Sequence, residues 1–201
     1  MFEVFENILS DEHVTRLEQL IDDIFMNPSN NFGIVLGDGD NHSPNGWWMQ
    51  HQLTHYIDKS VPNLYDELVD DINAKIEPFG KEVDALYLTF LDRGMSIVWH
   101  NDSITGDKGD GKNNITRGFR INHERRTGAM TIYLNREWKW EWGGILKYGH
   151  QNWHDQYLPR FNTGVLFDQT VKHCVTKITS PGRDRSHDSM RKTIQIWVRD
   201  A

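Results

Sequence analysis

Two histidines and one aspartate in this chain have the residue types and the spacing of a transition-metal site. His100 and Asp102 lie two positions apart, and His173 follows much later in the sequence. Residues two apart on an extended strand point to the same side, so both side chains can reach one ion. Two histidines and one carboxylate occupy one face of a metal and leave its other positions open, which is the usual Fe(II) site of non-haem oxygenases. The pattern therefore predicts that His100, Asp102 and His173 bind iron and that the chain uses O₂.

Other histidines are alternatives, because the chain has ten of them. His51 and His55 stand four residues apart, as do His150 and His154, and each pair would share one face of a helix. No apolar helical pattern surrounds either pair, so surface histidine is the simpler interpretation. A lone His-x-Asp is common by chance, and the metal prediction therefore depends on the elements that position it.

The first part of the chain predicts two amphipathic helices joined by a loop. Ser10 or Asp11 can cap the first helix, and Pro62 precedes the second. The intervening residues 27–46 are rich in Asn, Gly and Asp, which is typical of a loop. Apolar residues recur at gaps of three and four in both helices, which marks one buried face on each. These residues are Val14, Leu17, Leu20, Ile21, Ile24 and Phe25, then Leu64, Leu68, Ile72 and Ile76.

Beyond residue 83 the sequence changes to short β-type runs separated by turn residues, which favours a sandwich or jelly roll. The runs are residues 85–91, 96–99, 129–134, 144–148, 164–167, 174–178 and 193–198. We expect a mainly β (α+β) fold, a double-stranded β-helix with the N-terminal helices packed on one sheet. We expect one domain over residues 1–201, with a helical support region at 1–80 and a jelly-roll core at 81–198. A jelly roll can bring His173 opposite the strand of His100.

Composition and charge narrow the range of functions. A chain of 201 residues can bury a good core, and its net charge of −7 argues against a nucleic-acid binder. The single cysteine excludes an internal disulfide and suits a reducing compartment. No apolar run has membrane-spanning length, and no signal peptide is visible, so we expect a cytoplasmic protein without membrane contact. Basic residues cluster between Lys108 and Arg126, where they could steer an acidic or phosphorylated substrate or simply form a solvated charged loop.

Several short motifs stand in a fixed order along the chain. They are VFENILS at 4–10, TIYLN at 131–135, GGIL at 143–146, TGVLF at 163–167 and RKTIQIW at 191–197. In these motifs, and in their order from about residue 80 to residue 198, the chain resembles the 2-oxoglutarate-dependent Fe(II) dioxygenases of the prolyl 4-hydroxylase type. The resemblance implies Fe(II) bound by His100, Asp102 and His173, with 2-oxoglutarate and O₂ as co-substrates; a requirement for ascorbate stays open.

The resemblance also implies a basic anchor for the far carboxylate of 2-oxoglutarate. A guanidinium suits that role because its planar fork can pair with both carboxylate oxygens. Arg191 matches the family's arginine best, since it begins the last strand. Arg183 is the alternative, because it stands ten residues after His173, a spacing that the family also uses.

Further residues are assigned to the pocket by the same resemblance. Tyr133 matches a tyrosine whose hydroxyl binds the co-substrate carboxylate, whereas Phe90 stands where many relatives have a second tyrosine. Thr131 and Leu146 are expected to line the pocket, with Val175 and Trp197 nearby. The alternating Trp138, Trp140 and Trp142 would share one face of an extended segment, as an aromatic wall or as the cover of a sheet.

Hydroxylation of an unactivated C–H bond is the activity that the resemblance implies. Asp102 supports it, because relatives with a small residue at that position become halogenases. The leading expectation is a prolyl hydroxylase that acts on a protein or peptide. The alternatives are a hydroxylase of a free amino acid or other small molecule, a nucleic-acid demethylase supported only by the basic cluster, and a non-catalytic jelly-roll binding module.

Overall fold

The computed structural model describes residues 1–26, 35–36, 48–52, 63–102, 126–150, 153–179 and 189–201. Eleven strands and two α-helices are assigned within these ranges, and short 3₁₀ turns lie at Glu77–Phe79 and Trp140–Trp142. None of the helices in the described ranges is long and apolar enough to cross a membrane. In chain order the elements are β1 (Phe2–Glu6), α1 (Asp11–Met26), β2 (Val35–Leu36), β3 (Trp48–Gln52), α2 (Leu64–Ile76), β4 (Lys81–Leu91), β5 (Ile97–His100), β6 (Arg126–Tyr133), β7 (Leu146–His150), β8 (Trp153–Tyr157), β9 (Thr163–Asp168), β10 (His173–Val175) and β11 (Arg191–Asp200).

Two antiparallel sheets form the β-sandwich. The large sheet has the order β1-β9-β6-β11-β4-β3-β2, and the small sheet has the order β5-β10-β7-β8. Apolar side chains of β6 and β9 pack with Leu146 of the small sheet and fill the space between the two sheets. This arrangement confirms the predicted mainly β jelly roll.

Both helices cover the outer face of the large sheet, as the apolar spacing predicted. Successive side chains of β6 and β11 point to opposite faces of the sheet. Ile132, Ile194 and Ile196 pack against the helices, and the residues between them therefore face the small sheet. The N-terminus of α1 is capped by Ser10, whose Oγ accepts a hydrogen bond of 3.2 Å from the His13 amide. The buried faces of the helices therefore fix one side of the sheet and leave the other side for the site.

The N-terminal region also contributes strands, which the sequence did not predict. β1 pairs with β9, and β3 pairs with β4, so both extend the large sheet. Their partners are remote in sequence, and short runs such as FEVFE carry little local signal of such pairing. The assignment of the whole chain to one domain stays a prediction.

The tryptophan segment is not an extended wall, contrary to the prediction of a shared face. It passes through the 3₁₀ turn at Trp140–Trp142, which leaves Trp140 52% exposed while Trp138 is buried. The indole N–H of Trp138 donates to the Gly143 carbonyl at 2.7 Å, and its ring packs edge-to-face on Trp142 at 5.5 Å. Trp138 is therefore a core residue, and the partly buried Trp142 packs against the same core cluster.

Candidate metal centre and co-substrate pocket

The small sheet brings the three predicted metal-binding side chains together. His100 ends β5 and His173 begins β10, and the two residues are register partners on adjacent antiparallel strands. Asp102 follows β5, and its backbone N–H donates to the Gln169 carbonyl at 3.0 Å. One ligand atom from each of His100, Asp102 and His173 lies within 4.8 Å of the other two. Within the described ranges, no other group of three such side chains meets this distance.

The geometry of this cluster fits a metal ion. His100 Nε2 lies 3.6 Å from Asp102 Oδ1, and His173 Nε2 lies 3.8 Å from Asp102 Oδ2. The Asp102 side chain is only 8% exposed, and its Oδ2 is buried without a hydrogen-bond partner among the described residues. A buried carboxylate oxygen is costly unless something compensates its charge. Two imidazole nitrogens and this oxygen are the donor set that suits Fe(II) with open positions.

His173 is oriented for metal binding by its own backbone neighbourhood. Its Nδ1 lies 2.9 Å from the Val171 carbonyl, which can only accept, so the proton is on Nδ1 and the Nε2 lone pair faces Asp102. Burial lowers the pKa of His173, and the adjacent His100 lowers it further, whereas Asp102 opposes the change. The imidazole therefore stays neutral, as a metal ligand must.

A buried cation lies beside the inner core between the sheets. Arg191 is 3% exposed at the start of β11, and it has no ion pair with an acidic residue in the part of the chain that the structure describes. Desolvation lowers its pKa, and Tyr133 opposes that change. An unpaired buried charge is expensive, and its presence points to an anionic ligand.

Tyr133 lies beside this guanidinium. The Arg191 Cζ is 5.1 Å from the centroid of the Tyr133 ring, and the same ring stacks on Tyr157 with the centroids 5.7 Å apart. Complete burial raises the pKa of Tyr133 to about 12, although Arg191 opposes the rise. The hydroxyl therefore stays protonated at neutral pH and can donate to an anion that binds Arg191.

Thr131, Leu146 and Trp197 lie in the same interior, whereas Val175 packs in a separate cluster with Leu91 and Ile178. Thr131 Oγ1 donates to Gln195 Oε1 at 2.9 Å, and Leu146 packs in the inner core that contains Tyr133. Trp197 packs against that core. The guanidinium of Arg126 stacks on the Trp197 ring, with its Cζ 3.3 Å from the ring centroid. Arg183 and the basic residues 108–125 lie outside the described residues.

Two positions differ from the prediction. Phe90 does not line the pocket, because it packs edge-to-face on Phe25 at 5.0 Å on the helix side of the sheet. Its neighbour Thr89 takes the inward face, with an Oγ1 that is buried and without a hydrogen-bond partner among the described residues.

Arg126 was predicted only as part of a basic cluster, yet it is 7% exposed and begins β6. No local sequence pattern indicates the burial of Arg126, which depends on the pairing of β6 with β11.

The alternative histidine pairs do not form helical sites. His150 and His154 lie on β7 and β8, two strands of one hairpin in which Gly149 is opposite His154. His51 lies on β3, and His55 lies outside the described residues.

Comparisons with known proteins agree with this geometry. A protein-family sequence model, that of the 2OG-Fe(II) oxygenase superfamily, matches residues 86–199 of this chain. No curated protein matches the chain in sequence. A prolyl-4-hydroxylase from Pseudomonas putida is similar in fold, with a TM-score of 0.63 and 15% identity, over 100% of this chain and 92% of that one.

Two further solved structures are similar. One is a prolyl hydroxylase from Trichoplax adhaerens in complex with a hypoxia-inducible-factor oxygen degradation domain peptide, with a TM-score of 0.61 and 18% identity over 99% of this chain and 83% of that one. The other is an oxidoreductase of the 2OG-Fe(II) oxygenase family from Burkholderia pseudomallei. Its TM-score is 0.57 and its identity 9%, over 98% of this chain and 84% of that one. At these identities the likeness concerns the fold.

Proposed function

Since the chain belongs to the 2OG-Fe(II) oxygenase superfamily, we propose that it hydroxylates a prolyl residue of a protein or peptide. Its cofactor is Fe(II), and 2-oxoglutarate and O₂ are its co-substrates. The observation that carries the proposal is the combination of the His100, Asp102 and His173 cluster with a buried guanidinium, that of Arg191, which has no acidic partner among the described residues. The fold likeness to prolyl hydroxylases, one of them bound to a peptide, supports the choice of substrate.

In this proposal His100, Asp102 and His173 hold the iron. Iron bound there supplies the oxidative chemistry in which 2-oxoglutarate, O₂ and a C–H bond become succinate, CO₂ and an alcohol. The triad leaves one face of the ion open, and the Val171 carbonyl keeps the His173 ring aimed at it. The buried oxygen of Asp102 gains the partner that it lacks among the described residues.

Arg191 and Tyr133 would bind the far carboxylate of 2-oxoglutarate. The ligand's charge compensates the buried guanidinium, and the protonated Tyr133 hydroxyl adds a donor. Leu146 packs beside Tyr133, and the inner core around them keeps water from this end of the pocket. These contacts fix the co-substrate's orientation while the residues themselves take no part in bond cleavage.

One observation favours a second candidate, hydroxylation of a small carboxylic acid such as a free amino acid. Arg126 is a second buried cation, and it lies toward the metal end of the interior. The adjacent Thr127 carbonyl accepts a hydrogen bond from the Gln169 amide, and the Gln169 carbonyl in turn binds the Asp102 amide. A guanidinium there can pair with a substrate carboxylate.

The two candidates are distinguished by matched substrates. Purified protein with Fe(II) and 2-oxoglutarate is given proline-containing peptides, the same peptides with alanine in place of proline, and free amino acids. A prolyl hydroxylase adds one oxygen only to the proline-containing peptides, seen by mass spectrometry, with one succinate formed per oxygen added. Oxygen addition to free amino acids alone would replace the leading proposal with the second.

The iron and co-substrate assignment has its own test. Anaerobic addition of Fe(II) and 2-oxoglutarate should give a charge-transfer band that needs both additions and is lost in His173→Ala. A well-folded wild-type protein that gives no band would contradict the assignment.

A further inference from the structure

The turn between β9 and β10, residues 168–172, contacts two of the three metal-binding residues through its backbone. The Gln169 carbonyl accepts from the Asp102 amide at 3.0 Å, and the Val171 carbonyl accepts from His173 Nδ1 at 2.9 Å. Both contacts set the direction of a ligand without touching the metal position. We call residues 168–172 the ligand-supporting turn.

The carboxylate of Asp168 holds this turn in shape. Its Oδ1 accepts from the Thr170 amide at 2.9 Å and from the Thr170 hydroxyl at 2.8 Å, which is the pattern of an Asx turn. The Asp168 carbonyl also accepts from the Val171 amide at 2.9 Å. The Thr170 hydrogen bonds lower the pKa of Asp168, so the carboxylate is ionised at neutral pH and accepts strongly.

The surrounding strands anchor the turn on three sides. Asp168 and Gln169 donate their amides to the carbonyls of Met1 and Thr127, both at 3.2 Å, and the Lys172 carbonyl accepts from Gly149 at 2.9 Å. The ends of the turn are thus fixed by the sheets. Between these ends, the Asp168 carboxylate accepts two hydrogen bonds from Thr170 and so links these two residues of the turn.

We propose that Asp168 is a positioning residue for the metal site, acting through the Gln169 and Val171 carbonyls on Asp102 and His173. The inference rests on the proposed function, since it takes Asp102 and His173 as metal ligands. Without the Asp168 carboxylate the two carbonyls lose their fixed directions, and the two ligands are oriented less well. Loss of a group that hydrogen-bonds a ligand directly weakens metal binding by about 10- to 100-fold; Asp168 acts one step further out, so we expect the lower end of that range.

The test measures binding of Co(II), whose visible absorption reports coordination geometry, in Asp168→Ala, Asp168→Asn and wild type. We expect Asp168→Ala to weaken Co(II) binding by about tenfold and to alter the visible spectrum. Asp168→Asn keeps an oxygen acceptor for Thr170 and should restore most of the affinity. Asp155→Ala is the matched control, because it removes an exposed aspartate from β8.

The outcomes separate the possible failures. Wild-type affinity and spectrum in Asp168→Ala would overturn the inference, even if its melting temperature falls. Absence of Co(II) binding in the wild type would instead contradict the proposed function. If Asp168→Ala does not fold, Thr170→Val provides the test, because it removes one of the two hydrogen bonds to Asp168. Its Co(II) affinity should fall about threefold, and an unchanged Co(II) affinity would overturn the inference.

Discussion

Replacement of Arg191 by methionine should weaken 2-oxoglutarate binding while it leaves the ligand-free protein equally stable or more stable. Methionine keeps an unbranched chain that can lie between Gly144 and Tyr133 but carries no charge. In the ligand-free protein Arg191 is buried and has no acidic partner among the described residues. Removal of this uncompensated charge eliminates a desolvation cost, whereas removal of the ligand's partner leaves a carboxylate buried alone.

The two effects have opposite signs and measurable sizes. Breaking a buried pair by removal of one partner costs about 3–5 kcal/mol, which weakens 2-oxoglutarate binding by about 100-fold to several thousand-fold. Apolar replacement of a buried ionic group is often neutral or stabilising by about 1–4 kcal/mol. In a chain of this size each 1 kcal/mol changes the melting temperature by about 2–4 °C. The variant should therefore melt at the same temperature or several degrees higher.

Calorimetric titration with 2-oxoglutarate in the presence of Mn(II), together with thermal melts without ligand, measures both quantities. Lys192→Met is the matched control, since it removes a cation from the next position of β11, on the opposite face of the strand. Mn(II) affinity should be unchanged, because Arg191 is not among the proposed ligands. Wild-type affinity for 2-oxoglutarate in Arg191→Met would refute the anchor assignment, and a large drop in melting temperature would show that Arg191 has an anionic partner in the ligand-free protein.

Three further predictions concern the same pocket. His173→Ala should reduce Mn(II) affinity by at least 100-fold while the fold persists by circular dichroism; retained affinity would remove His173 from the ligand set. Tyr133→Phe should weaken 2-oxoglutarate binding by about tenfold, since it removes a hydrogen bond to a charged group worth about 1.5 kcal/mol, and calorimetry that shows equal affinity would contradict this role. Gly144→Ala should weaken the same binding, because Gly144 has a φ of 67° and an added Cβ would lie 3.0 Å from Arg191 Cδ and 3.2 Å from Trp138 Cζ2. An Ala variant with unchanged affinity would show that the Arg191 side chain can shift without loss.

The sequence predicted those parts of the fold that local periodicity encodes. Gaps of three and four placed Leu17, Leu68 and Ile72 in the core, and these residues are fully or almost fully buried. Residue types and order predicted the cluster of His100, Asp102 and His173, which the structure brings together. The metal-binding role of the cluster stays a prediction.

The errors share a physical origin in strand pairing and side-chain direction. Phe90 was matched by resemblance to a tyrosine that binds the co-substrate in many relatives, but a displacement of one residue along a strand moves a side chain to the other face of the sheet. β1 was missed because its pairing with β9 joins segments far apart in sequence. Arg126 was assigned to a charged cluster, because its stacking on Trp197 depends on the pairing of β6 with β11.

The position of β11 in the large sheet has a consequence for folding kinetics. β11 comes last in sequence order among the described strands, yet it lies in the middle of the sheet, between β6 and β4. Before it is added, the sheet consists of two unconnected halves whose inner edges have open hydrogen-bonding groups. Such non-local pairing slows folding and exposes edges that can pair with other chains. During synthesis the protein must therefore avoid aggregation until the strand that carries Arg191 joins the two halves.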